Sequence, residues 1–85
     1  MRLVFVEWVD SYGCSASWGE LADSSPQLLT CKSVGWLLHD GADCKVVVPH
    51  VGGSIPGAQP QGCGDMTIPT RAIVRLVDLA EPNPN

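Results

Sequence analysis

Apolar positions along this chain gather into short runs with the two-residue alternation of strands. Residues 2–10 (RLVFVEWVD) are rich in β-branched and aromatic types and read as a first strand. Leu3, Phe5 and Val9 share one face, and Val4, Val6 and Trp8 the other. Two apolar faces are unusual where one side of a sheet normally meets water, so the second face is expected to meet another subunit. A second strand runs from Leu28 to His39, with Val34, Trp36 and Leu38 opposite Cys31, Ser33, Gly35, Leu37 and His39. Gly35 beside Trp36 suggests a bend or a close backbone approach. Asp40-Gly41 marks a hairpin turn into a third strand, Cys44 to Val48, which Pro49 ends.

The most informative stretch is the last. Met66 to Ile68 is a short apolar strand; Pro69 fixes φ and donates no hydrogen bond, so the ladder stops there. After about four residues of turn a longer strand, Ile73 to Leu79, emerges. A strand, a tight helical turn and a strand close small SH3-like and Sm-like barrels. Two Gly/Ser/Pro-rich segments, 11–27 and 51–64, read as long loops. Ser17 to Glu20 predicts a single capped helical turn in the first of them. Both loops are expected at one end of the molecule, with a pocket between. The fold expected is therefore all-β: a small five-stranded SH3-like or Sm-like partly open barrel with two long loops. Residues 1–80 form its single domain and residues 81–85 a frayed tail.

Eighty-five residues are near the lower limit for one core, which calls for dense packing, crosslinks or burial against copies of the same chain. The formal net charge is −4, from nine acids and five bases, and the five bases are scattered. Phosphate neutralisation drives nucleic-acid affinity, so general nucleic-acid binding is not expected. No run is long enough to cross a membrane, and no secretory leader is legible, so a cytoplasmic protein is expected. Cys14, Cys31, Cys44 and Cys63 have irregular spacing without a C-x-x-C pair. Free thiols are expected, and neither a metal nor a cofactor.

Three segments carry a resemblance: Val6-Glu-Trp-Val-Asp-Ser11, Ser33-Val-Gly-Trp-Leu-Leu-His39, and Gly64-Asp-Met-Thr-Ile-Pro69 with Ala72-Ile73. Together and in this order they resemble a widespread group of short phage and prophage proteins. The resemblance implies a phage-encoded small β-barrel in the cytoplasm of an infected bacterial host, and no established activity. The segments 14–27 and 52–63 lie outside it.

No nucleophile–base frame is present, so an enzyme is not expected. The candidate ligand-binding residues are Tyr12, Trp18, Lys45, Gly53, Ser54 and Arg71. Trp18 and Tyr12 offer flat rings for stacking on a base or anchoring a protein. Gly52-Gly53-Ser54 can turn backbone N–H groups toward an anion. Arg71, on a rigid turn, can grip a phosphate or carboxylate with two parallel hydrogen bonds, and Lys45 adds a second cation. The function expected is sequestration of a nucleotide-type immune signal (a cyclic oligonucleotide or an ADP-ribose derivative) by a homo-oligomer without turnover. The alternative is an acidic module that docks on a host or phage protein. A ligand pocket needs Arg71 and Lys45 convergent, whereas a docking surface needs contiguous Asp and Glu.

Overall fold

The structure, a computed structural model, describes residues 1–13, 17–53 and 55–82. It is all-β, with two short 3-10 turns and no α-helix among the described residues. Strands β1 (Arg2–Ser11), β2 (Leu28–Asp40), β3 (Cys44–Val48), β6 (Met66–Pro69) and β7 (Ile73–Asp78) form one antiparallel sheet in the order β6-β3-β2-β1-β7. Strands β4 (His50–Gly52) and β5 (Gln61–Cys63) form a separate hairpin. The 3-10 turn η1 covers Leu21–Asp23, and η2, Thr70–Ala72, joins β6 to β7. No helix among the described residues is long and apolar enough to cross a membrane.

The core selects one of the two apolar faces of β1. Val4, Val6 and Trp8 point inward beside Leu37, Val47 and Ile68, with Ile73 and Leu76 packed against them. Ile68 and Leu76 lie on the two opposite edge strands yet touch the same cluster. The sheet is therefore curled, with its edges folded toward each other over one core. No ladder joins β6 to β7 among the described residues, so the curl does not close into a barrel. At the bend, Gly35 is buried against β3, where a Cβ would stand 2.7 Å from Val47 Cγ1 and 2.8 Å from the Val48 carbonyl. A register shift between Leu37 and His39 marks the same bend on β2.

The other face of β1 is partly covered within the chain. Arg75 stacks over the Phe5 ring, 5.3 Å from its centroid. Trp36 donates from Nε1 to the Glu81 carboxylate at 2.9 Å, which lays the C-terminal segment beside the sheet.

Two local expectations give way. The helical turn of the first loop sits at Leu21–Asp23 and not at Ser17–Glu20; Glu20 is its extended N-cap residue and makes no side-chain cap. Gly19, the least helix-prone residue nearby, stays outside the turn. The second loop holds the β4–β5 hairpin, with His50 opposite Cys63 and Gly52 opposite Gln61. Its two strands are exposed and glycine-rich, so they carry no alternation by which a sequence reading finds strands.

The radius of gyration is 17.4 Å, where a compact chain of this length has roughly 12 Å. The excess comes from an arm. Val9 to Ser11 of β1 have no partner on β7, and β2 meets β3 only from Trp36 onward. The ends of β1 and β2 therefore leave the core as a two-stranded ribbon, extending the molecule to 60 Å along its longest axis.

Candidate functional site

Because β1 and β3 run in the same direction, both long loops do leave one end of the sheet. They then diverge. The β4–β5 hairpin leans back over the outer side of β3: Gly62 sits so close to Val48 that a Cβ there would come within 2.9 Å of Val48 Cγ2. That contact leaves Val48 buried on a face otherwise turned to solvent. Beneath the hairpin lies a cleft of about 310 Å³, lined by Met1, Leu38, Val48, Val51, Gln61 and Asp65 among others. Its one charged side chain is the Asp65 carboxylate, and the other lining side chains are mostly apolar.

The described residues of the first loop, by contrast, bury no side chain. At the tip of the arm Trp18 is 103% exposed, Leu21 91% and Tyr12 59%, and Leu28 at the root of the returning strand is 76% exposed. All the described residues from 17 to 27 are exposed. Asp10, Glu20 and Asp23 flank these apolar groups, and the chain has no lysine or arginine between Tyr12 and Cys31. The result is a loop of exposed apolar side chains interspersed with acidic residues.

The remaining expected ligand residues lie apart from the tip. Lys45 is inside the curl, its ammonium paired with Asp40. Arg71 is exposed on η2 and forms no ion pair among the described residues. Gly53 adopts φ +94°, and a Cβ there would meet the Gln59 carbonyl at 2.7 Å. Its backbone thus abuts its own loop, and the positive φ serves the hairpin turn. Ser54 lies outside the described residues, as does Cys14. Cys31, Cys44 and Cys63 are free thiols. None of the four clefts described is lined by Tyr12, Trp18, Lys45, Gly53 or Arg71.

A charge cluster closes the end of the core away from the arm. Arg2 Nε donates to Asp78 Oδ1 at 2.8 Å, Arg2 also reaches Asp40 at 3.4 Å, and Lys45 donates to Asp40. It ties β1, β2, β3 and β7 together. The hydrogen bond from Lys45 is the main reason the Asp40 carboxyl titrates below its usual value, with the charges of Lys45 and Arg2 adding to it. The hydrogen bond to Asp78 raises Arg2 in the same manner. A carboxyl whose folded pKa is depressed stabilises the fold at neutral pH, and that contribution is lost as pH falls through the carboxylate range. Melting temperature should therefore drop below about pH 4 more steeply in the native protein than in Asp40→Asn. Parallel curves for the two would remove Asp40 from the account. Lys45 was legible as a cation but its partner Asp40 across the turn was not, and Arg2 and Asp78 join the group through the register of the adjacent strands β2, β1 and β7.

No family model, curated protein or solved structure matches this chain.

Proposed function

We propose that this protein is a non-enzymatic binding module that docks a protein partner through the tip of the β1–β2 arm. The single observation that carries the reading is the full exposure of Trp18, with Leu21 and Tyr12 also exposed, at the end of a ribbon that runs out from the core. Removing roughly 150–250 Å² of aromatic surface from water is worth several kcal/mol. The isolated chain forgoes that gain, and a partner pocket recovers it. Tryptophan and tyrosine are also the side chains most often found as interface anchors. The carboxylates of Asp10, Glu20 and Asp23 interspersed with the anchors select a partner whose pocket is bordered by lysine or arginine.

The curled sheet is, on this reading, an SH3-like or Sm-like partly open barrel. The strand order β7-β1-β2-β3-β6 and the 3-10 turn between the edge strands support it. A phage or prophage origin and a cytoplasmic site of action belong to the same proposal, on the strength of the three sequence segments that resemble phage proteins.

Trp18→Ala combined with Leu21→Ala should leave stability within about 0.5 kcal/mol of native, as for other exposed positions. The native chain should retain one or more bacterial proteins that the double variant does not, with a direct titration of the purified partner reproducing the difference. Equal retention by both chains would overturn the reading.

A second reading, sequestration of a nucleotide-type immune signal, has one observation in its favour: Arg71 is an exposed guanidinium free of ion pairs among the described residues. No cleft described joins it to an aromatic wall, so such a ligand would need a site shared between copies. A rise in melting temperature with cyclic di- or trinucleotides or ADP-ribose, abolished in Arg71→Ala, would establish this reading in place of the first.

A further inference from the structure

The arm has an open edge as well as an exposed tip. Leu79 N–H donates to the Leu3 carbonyl at 2.8 Å, so the backbone groups of Leu3 face β7. Alternation along the strand then turns those of Val4, Val6, Trp8 and Asp10 toward β2. Their partners on β2 are Gly35, Ser33, Cys31 and Leu29, which face back toward β1. The intervening Leu28, Thr30, Lys32 and Val34 therefore present their N–H and C=O groups to the other side. No strand among the described residues pairs with them there, because β3 begins its ladder at Trp36. An unpaired edge of this length, bordered by exposed Leu28 and Val34, is a template for another strand.

We propose that residues 28–34 pair antiparallel with the same residues of a second copy, making a two-fold dimer through a continuous sheet. The inference is independent of the docking reading, since it rests on the backbone of β2 and not on the tip. Charge and register select one arrangement. A two-fold axis at Lys32 would set two ammonium groups opposite each other, which is unfavourable. An axis at Thr30 would leave Val34 outside the ladder. An axis at Cys31 pairs Leu28 with Val34 and Thr30 with Lys32, so the exposed apolar groups cover each other. Lys32 already stands opposite Glu7 on its own chain, which keeps the edge electrically quiet. In this register Cys31 meets its own copy as a non-hydrogen-bonded pair, with Cα atoms ~4.5 Å apart, inside the range a disulfide spans. The two arms point opposite ways, so the dimer presents a tip at each end and can bind divalently.

The full chain should sediment as a dimer. Oxidation with copper phenanthroline should give a covalent dimer that Cys31→Ser lacks, although Cys14, Cys44 and Cys63 remain. Thr30→Pro removes one open-edge donor and none of the bonds from β2 to β1, so it should yield a folded monomer. Thr30→Lys tests the same edge without touching the backbone. It sets a lysine opposite each partner Lys32 and should weaken the dimer about tenfold. A chain that stays monomeric at millimolar concentration would overturn the proposal. So would a dimer that neither Thr30 variant weakens, or a covalent dimer that survives Cys31→Ser.

Discussion

Replacing Ile68 by Ala is expected to cost about 3 kcal/mol and to lower the melting temperature by roughly 15 °C. Ile68 belongs to β6, a four-residue strand at the edge of the sheet. In a flat sheet such a position would be half wet, and truncating it would cost little. Here Ile68 is 1% exposed and touches a cluster built from β1, β2 and β3, with Leu76 of the opposite edge packed on it. Removing three methyl or methylene carbons leaves a hole that the curled sheet can close only by moving both edges. For a domain of this size the loss is a large part of the total stability. Chemical denaturation of the variant measures it, and a cost below about 1 kcal/mol would mean that the edges do not share a core.

Gly35→Ala is expected to be about as damaging, by the opposite mechanism. The added methyl would enter at 2.7 Å from Val47 Cγ1 and 2.8 Å from the Val48 carbonyl. The second neighbour is backbone held in the β2–β3 ladder and has no rotamer by which to withdraw. Overpacking of this kind costs about 1–3 kcal/mol, and here falls at the upper end or above. Gly19→Ala is the control: nothing lies within 4 Å of the site, so the methyl meets only solvent. That variant should be neutral or slightly stabilising, because alanine has less freedom to lose on folding. Similar melting curves for the two substitutions would contradict the bend at Gly35.

Much of this architecture was legible before the structure. The runs at Leu3–Val9, Val34–Leu38 and Cys44–Val48 carry strand alternation, and Pro69 announced the turn between the two closing strands. Which face of β1 is buried was not legible, since Val4/Val6/Trp8 and Leu3/Phe5/Val9 are equally apolar. The choice depends on partners far along the chain: Leu37, Val47 and Ile68 on one side, Arg75 and Glu81 on the other. The β4–β5 hairpin was invisible for a different reason. Its strands have no buried face, and its pairing is backbone to backbone among residues such as Gly52, Gly62 and Gln61.

The candidate site divides in the same way. Trp18 in a Gly/Ser loop signalled either a lid on the core or an exposed anchor, and residue type alone does not choose between them. The choice follows from how far β1 and β2 outrun β3 and β7, a length mismatch that only the pairing register reveals. Lys45 looked like a free cation because its partner Asp40 lies across the hairpin turn, where pairing depends on the bulge between Leu37 and His39.

Backbone amide exchange of the isolated chain tests most directly the idea that stability resides in the curled core and recognition in the arm. Amides of Val4, Val6, Leu37, Val47 and Ile68 should exchange only through global unfolding. Those of residues 17–27 should exchange almost as fast as in an unfolded chain. Strong protection across residues 17–27 would show that the tip packs against the protein itself, and the arm would then be a structural lid instead of a recognition element.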